Sequence, residues 1–191
     1  MEDDILFKKE LRKAVDSKCS DSLLSLSNKT SHKTAILNFC ENGKKLIHYA
    51  AEFGSVDLLK VLVGLGAYVQ DTTSNDKNAL HIACEEGNED IVDYLLKTVS
   101  DSSFKTALTT SWDTKNLKDV FYYAALSGKI NIVRCLENDR NLNIDEVFPN
   151  KSTALYTLVK ENQYDAANLL CQCGADVNIG FQEQNFRPIH F

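Results

Sequence analysis

The sequence lacks the features that mark several classes of protein. It has only two prolines and one tryptophan in 191 residues. Its longest uncharged apolar run, from Val61 to Gln70, is too short to cross a bilayer, and its start has no stretch of the signal-peptide type. The net charge of −6 argues against a nucleic-acid-binding surface, which needs a clustered positive face. We therefore expect neither nucleic acid nor membrane as a partner of this segment.

Motifs for catalysis and metal binding are also missing from the sequence. It contains no phosphate-binding Walker sequence and no His-Glu-x-x-His motif. Cys171 and Cys173 are one residue apart, whereas a zinc knuckle needs two between them. The six cysteines, without a secretory signal, favour free thiols in a reducing compartment, which is cytoplasmic or nuclear. We expect a non-enzyme with no catalytic residue, no metal ion and no cofactor.

What the sequence does contain is an internal repeat. The stretch NGKKLIHYAAEFGSVDLLKVLVGLGAYV at 42–69 recurs in altered form as DKNALHIACEEGNEDIVDYLLK at 76–97. His48 and His81 are 33 residues apart, and so are Gly54 and Gly87. A fixed period in this range is typical of stacked helical units, each of which needs a neighbour to bury its apolar face.

The repeated pattern resembles the ankyrin repeat. In the first clear copy the resemblance is carried by Ile47, His48, Ala50, Ala51, Gly54, Leu58, Leu59, Leu62, Gly66 and Ala67. A third copy, VFYYAALSGKINIVRCLEND, follows an insertion, since Gly128 lies 41 residues after Gly87. A fourth copy, KSTALYTLVKENQYDAANLLCQCGADVN, ends close to the family consensus. The N-terminal segment LFKKELRKAVDSKCSDSLLSLSN is interpreted as a degenerate capping repeat with a polar face.

The resemblance implies an all-α fold, a solenoid of stacked antiparallel helix pairs joined by β-hairpin-like loops. We divide the chain into a degenerate N-terminal capping repeat (1–41), two ankyrin repeats (42–72 and 73–97), an inserted loop (98–116), a degenerate ankyrin repeat (117–143), a further ankyrin repeat (144–178) and the start of a truncated repeat (179–191). The truncated copy predicts that this chain is part of a longer protein.

Several positions of the repeat have structural roles in the family. The repeated histidine braces neighbouring turns through hydrogen bonds to the backbone, so His48 and His81 are expected to be structural. The family usually places proline at the first helical position, where its missing N–H costs nothing. Only the last copy, at Pro188, has it, so we expect less rigid helix starts in the middle repeats.

By resemblance, partners bind to the hairpin tips and to the ends of the first helices, which line a concave groove. The candidate partner-binding residues at these positions are Lys44, Lys77, Lys118, Glu52, Phe53, Glu85, Glu86 and Leu126. We favour Phe53 and Leu126, because an apolar side chain left exposed by the fold has no packing reason to be there, and such anchors dominate binding energy. The alternatives are that each folds onto a neighbour and that the charges form a merely solvated face.

Two further candidates lie outside these rows. Trp112 is in the insertion, which is either a partner-specific finger or simply tolerated length. The spacing from Leu170 to Asp176, Val177 and Asn178 resembles the pattern at which ankyrin asparagines are hydroxylated, which makes Asn178 a possible hydroxylation site. The same letters are also the plain family consensus.

The leading hypothesis is a non-catalytic protein–protein interaction scaffold or adaptor that binds a peptide or folded partner in the concave face. The alternative is a regulatory cytoplasmic ankyrin arm of a larger enzyme, ubiquitin-ligase adaptor or ion channel, which contacts its own chain or a second copy. A secreted repeat-bearing toxin is a third hypothesis. The partner's identity is not written in the repeat, because one scaffold serves many ligands.

Overall fold

The computed structural model describes residues 2–28, 30–98, 118–139 and 142–179. These residues form α-helices and one short β-hairpin. The elements are α1 (Glu2–Asp16), α2 (Ser20–Ser27), α3 (Thr30–Leu37), β1 (Cys40–Glu41), β2 (Lys44–Lys45), α4 (Leu46–Phe53), α5 (Val56–Gly64), α6 (Ala79–Glu85), α7 (Glu89–Thr98), α8 (Val120–Leu126), α9 (Ile130–Glu137), α10 (Ala154–Lys160) and α11 (Tyr164–Gln172).

The helices pack as consecutive pairs, and the pairs stack in chain order. Within the pairs, α1 contacts α2, α4 contacts α5, α6 contacts α7, α8 contacts α9 and α10 contacts α11. Between pairs, the first helices α1, α4, α6, α8 and α10 each contact the next, and the second helices do the same from α2 through α5 and α7 to α9. The predicted all-α solenoid of stacked helix pairs is confirmed.

Small side chains let the first helices lie close together. Ala50, Ala83 and Ala124 occupy equivalent positions of successive copies, and all three are completely buried. The stripes of the second helices are buried as well, for example at Leu59, Val92 and Val133, so the pairs share one continuous hydrophobic core.

The turns between paired helices use left-handed backbone. Gly54 has a φ of 68°, and Lys18 and Asn162 adopt the same conformation at the equivalent turns of the first and last pairs. A Cβ on Gly54 would lie 2.7 Å from the side-chain oxygen of Asn88. Asn88, in the turn between α6 and α7, donates hydrogen bonds from Nδ2 to the carbonyl oxygens of Ala51 (2.7 Å) and Glu52 (3.0 Å), so the end of α4 is tied to the following helix pair. Glycine is therefore needed here both for its φ and for space.

The hairpin tips also stack on one another. In the first tip, Cys40 pairs with Lys45 and Glu41 with Lys44. The turn residues Asn42 and Gly43 both have positive φ, as a two-residue hairpin of this type requires. The backbone N–H of Ser74, in the next tip, donates to the Gly43 carbonyl oxygen at 3.1 Å. The first two tips are therefore joined along one edge of the solenoid.

His48 braces this edge as expected. Its Nδ1 accepts the N–H of Lys45 at 2.9 Å, and its Nε2 lies 2.8 Å from the carbonyl oxygen of Asp71, to which it donates. Burial lowers the pKa of His48. The imidazole is therefore neutral near pH 7, with one nitrogen accepting and the other donating.

Two features differ from the sequence-based expectations. Helix α3 lies between the first pair and the first tip, where no helix was predicted. The expectation of poorly fixed helix starts also overlooked polar N-caps: Asn78, Asp119 and Thr153 each accept a backbone N–H in the first turn of the helix that follows. Such caps compensate for the absent prolines because they satisfy donors that the helix leaves open.

Two of the expected segments lie almost wholly outside the described residues. These are the inserted loop at 98–116, which contains Trp112, and the truncated repeat at 179–191. Within the described ranges, no helix combines the length and the apolar character needed to cross a membrane.

Asp119 gives the fold a pH dependence that is open to measurement. Burial raises the pKa of this N-cap carboxyl to about 7, and the nearby charge of Glu146 acts in the same direction. A raised carboxyl pKa stabilises the folded state at low pH, and this contribution is lost as the pH rises from about 4 to about 7, by about 1.4 kcal/mol per pH unit.

Asp119→Asn removes this titration and keeps a good N-cap, since asparagine stands at the equivalent position 78. We expect the variant to be more stable than the parent protein at about pH 8, with the difference shrinking towards about pH 5. Urea unfolding followed by circular dichroism across this range measures it. Parallel profiles for the two proteins would show that Asp119 titrates normally.

Candidate protein-binding groove

The groove is lined by the hairpin tips and the ends of the first helices. The three tip lysines each pair with a carboxylate. Lys44 Nζ lies 2.9 Å from Glu52 Oε2, and Lys77 Nζ lies 2.7 Å from Glu85 Oε2. Lys118 Nζ lies 2.9 Å from Oε1 of Glu161, which belongs to the next helix pair. The three predicted lysines thus form ion pairs, two of them with the predicted Glu52 and Glu85.

Each of these lysines also lies over a tyrosine ring. The distance from Nζ to the ring centroid is 5.8 Å for Lys44 over Tyr49. It is 4.2 Å for Lys77 over Tyr123 and 4.3 Å for Lys118 over Tyr122. An ammonium at this range is attracted by the negative face of the ring. We call each set of lysine, tyrosine and carboxylate a groove cluster, and name it by its lysine.

The sequence analysis missed the tyrosines of the groove clusters. One signal for them was present, because Tyr49 and Tyr123 each stand five residues before the glycine that ends their helix, Gly54 and Gly128. Both rings are nearly buried, which leaves their faces to the lysines.

The third cluster departs from the pattern of the first two. Glu52 and Glu85 each stand eight residues after their lysine, but the residue eight after Lys118 is Leu126. Lys118 turns instead to Glu161. Its Nζ also donates to the Tyr122 hydroxyl at 2.8 Å, and that hydroxyl donates to the Glu161 carboxylate.

Burial and hydrogen bonding compete in setting the charges of the Lys118 cluster. Burial raises the pKa of Tyr122, and the hydrogen bond to Glu161 raises it further. Burial opposes the ionisation of Glu161, but hydrogen bonds from Tyr122 and Lys118 lower the pKa of this carboxyl overall. Burial likewise opposes the charge of Lys118, yet its own hydrogen bonds to Tyr122 and Glu161 raise its pKa overall. The cluster therefore holds a charged lysine and carboxylate with a neutral phenol at pH 7.

Leu126 lies in the groove with 39% of its surface exposed. It takes the place in the row that Glu52 and Glu85 hold in the preceding pairs, and Lys160 holds the place after it. Leu126 is therefore an apolar residue between charged neighbours.

Phe53 is less free than the sequence suggested. It is half-buried, with its ring centroid 6.1 Å from that of Tyr49. Lys18 of the first helix pair lies over the same ring, 5.9 Å from its centroid, and donates to the Phe53 carbonyl oxygen at 2.6 Å. The expectation that Phe53 has no packing reason to be there is wrong, although a role in partner contact stays a prediction.

The N-terminal pair extends the groove with a further cation. The guanidinium of Arg12 lies 5.2 Å from the Tyr49 ring centroid, on the ring that Lys44 also approaches. Arg12 pairs with Asp16 at 3.0 Å and with Glu41 of the first tip. From the sequence, only a capping role was expected for this segment.

The remaining candidates are placed differently. Glu86 is exposed beside Glu85 and forms no ion pair with the described residues. Asn178 is exposed, and both its backbone N–H and its side-chain amide donate to Asp176 Oδ1, at 2.8 and 2.9 Å. Trp112 lies outside the described residues. In the described part of the chain, no group of three or more His, Cys, Asp or Glu side chains is placed to hold a metal ion.

Comparison with known proteins connects this geometry to a family. A family profile described as "Ankyrin repeats (3 copies)" matches residues 11–106 and 102–180. The chain is 36% identical over 67 residues to the NF-kappa-B inhibitor cactus of Drosophila melanogaster, which is 35% of this chain and 13% of cactus. It is 34% identical over 71 residues to the human Notch-regulated ankyrin repeat-containing protein, which is 37% of this chain and 62% of that protein.

Among solved structures, the human ASB11 ankyrin repeat domain is similar in fold. The TM-score is 0.65 at 24% sequence identity, over 94% of this chain and 75% of that domain. Identity at this level establishes the shared fold alone. Of the two relatives matched by sequence, the chain spans only a small part of cactus and less than two thirds of the human Notch-regulated protein.

The Lys118 cluster predicts a measurable coupling between the third and fourth copies. Tyr122→Phe removes the hydroxyl that joins Lys118 to Glu161. We expect the free energy of unfolding to fall by about 1 to 2 kcal/mol, because the lost hydrogen bond is partly buried and reaches a charged group.

Tyr164→Phe is the matched control. Its hydroxyl is exposed and bonds only locally, to Asn162 at 2.8 Å, so the same atom is removed with little expected loss. Urea unfolding of both variants near pH 7 gives the comparison. Equal effects in the two variants would mean that the Tyr122 hydroxyl contributes nothing specific.

Proposed function

Because the chain belongs to the ankyrin-repeat family, we propose that it is a non-catalytic interaction scaffold or adaptor that holds a protein partner in its concave groove. The observation that carries this proposal is Leu126, an apolar side chain exposed in a row whose other members are charged. The relative cactus supports the proposal, because its name describes it as an inhibitor of NF-kappa-B.

The groove clusters favour binding because they hold their side chains in place before a partner arrives. A long side chain that becomes ordered only on binding costs about 0.5 to 1.5 kcal/mol. Lys44, Lys77 and Lys118 are already held by a carboxylate and a ring, so little of this cost remains. A rigid surface of this kind obtains useful affinity from few contacts.

As part of the same proposal, the protein has no catalytic activity and works in a reducing compartment, which is cytoplasmic or nuclear. The alternative, a regulatory arm that contacts its own larger chain or a second copy, uses the same groove. Cross-linking of the native protein, followed by mass spectrometry, separates the two, because cross-links from the groove then lead either to another protein or to this one.

Leu126→Ala tests the groove directly. We expect it to weaken binding of the cross-linked partner about tenfold, since truncation of a central apolar contact costs more than 1 kcal/mol. Phe53→Ala should weaken binding less, because part of that ring is occupied by Tyr49 and Lys18. Titration calorimetry with the purified partner gives the affinities, and circular dichroism checks that the helical content is unchanged.

Leu24→Ala is the control for this experiment. Leu24 is 45% exposed, close to the value for Leu126, but it lies on the second helix of the first pair, away from the tips. The control should leave affinity unchanged. If Leu126→Ala and Phe53→Ala also bind as tightly as the parent protein, the groove is not the binding surface.

Hydroxylation of Asn178 stays a prediction. The side chain is exposed, but its amide is engaged by Asp176 and would have to leave that bond to enter an enzyme's active site. Mass spectrometry of the native protein decides the matter, because hydroxylation adds the mass of one oxygen atom to the peptide that contains Asn178. An unmodified peptide would dispose of the idea.

A further inference from the structure

We infer that the groove takes a basic segment of its partner, in which an apolar residue packs on Leu126 and neighbouring lysines or arginines face Glu85 and Glu86. This inference rests on the proposed function and adds the chemistry of the ligand. It comes from which member of each ion pair is turned towards solvent.

In two of the three groove clusters the carboxylate is the outer charge. The side chain of Lys77 is 19% exposed against 38% for Glu85, and that of Lys118 is 20% exposed against 38% for Glu161. Both lysines lie close over a ring, and the larger exposed fraction makes the carboxylate the more accessible charge of each pair. In the Lys44 cluster the two exposures are nearly equal, at 33% and 30%.

The lysine row that is prominent in the sequence is therefore not the surface that a ligand meets. An acidic ligand would have to displace a carboxylate to reach Lys77 or Lys118, and would draw the ammonium away from its ring. A basic ligand meets no such obstacle, because a carboxylate oxygen accepts more than one hydrogen bond and Glu85 can bind a second cation while it keeps Lys77.

Two exposed carboxylates lie together at the end of α6, next to Leu126 in the row. Glu86 adds a second exposed carboxylate next to Glu85, without an ion pair among the described residues. Helices α6 and α8 contact each other, so the ends that carry Glu85 and Leu126 lie in neighbouring positions of the row. Lys160 follows on the far side and offsets the adjacent charge of Glu161, so the acidic stretch ends there.

This arrangement orients the ligand along the groove. Its basic residues lie over the α6 end, its apolar residue lies on Leu126, and cations are disfavoured beyond it by Lys160. The net charge of −6 acts in the same direction at longer range, since it raises the rate of encounter with a positive segment.

Selection from a random peptide display library on the intact chain tests the inference without knowledge of the partner. A parallel selection on Leu126→Ala removes peptides that bind elsewhere. We expect the peptides that need Leu126 to carry a net positive charge and at least one apolar residue. Acidic or uncharged peptides in this set would overturn the inference but leave the proposed groove function intact. A failure to enrich any Leu126-dependent peptide would overturn both.

A selected peptide, labelled for fluorescence anisotropy, then gives a test with opposite signs. Glu86→Gln should weaken binding about two- to fivefold, the range for one exposed charge pair. Lys77→Gln should tighten binding of a basic peptide, because it removes a like charge beneath Glu85. Glu137→Gln, the same change at an exposed position of the second helix α9, should leave affinity unchanged. Weaker binding by Lys77→Gln would contradict the inference.

Discussion

Close contact between the first helices is the constraint on which the rest of the structure depends. It requires small side chains at Ala50, Ala83 and Ala124, all fully buried where successive pairs meet. Because each first helix contacts the next, the helix ends bring side chains from successive pairs to one surface. The first two tips are joined as well, by the hydrogen bond between Ser74 and Gly43. The groove is thus a consequence of how the core packs, and its lining residues are free to vary.

Most of the fold could be predicted from the sequence, because the residues that determine it recur at a fixed interval. The glycine and alanine positions located the helix pairs, and the histidine position correctly indicated the brace at His48. Helix α3 was missed because it belongs to one copy and has no counterpart to align with. The polar N-caps Asn78, Asp119 and Thr153 can be recognised in the sequence as polar residues just before a helix. The expectation of less rigid helix starts considered only the missing prolines and left these caps out.

The candidate groove was less predictable. Its lysines and carboxylates could be listed from repeat positions, but their pairing depends on the reach of side chains in three dimensions. Tyr123 serves Lys77 of the preceding pair, a relation that spans 46 residues and crosses the insertion. The sequence could not predict which charge of a pair faces solvent for the same reason, since lysine and glutamate are both strongly polar. Phe53 was misjudged because Lys18, which covers it, lies in the most degenerate copy.

The bond from Lys118 to Glu161 has a consequence for how this chain tolerates rearrangement. Ankyrin-type units are often treated as interchangeable blocks, each self-sufficient apart from its apolar faces. Here Leu126 stands where the first two blocks have a glutamate, and Lys118 of the third block finds its counter-ion in the fourth. Duplication, deletion or transplantation of either block alone would leave Lys118 or Glu161 without its counter-ion. The two blocks therefore have to be kept together as one unit when the solenoid is rearranged.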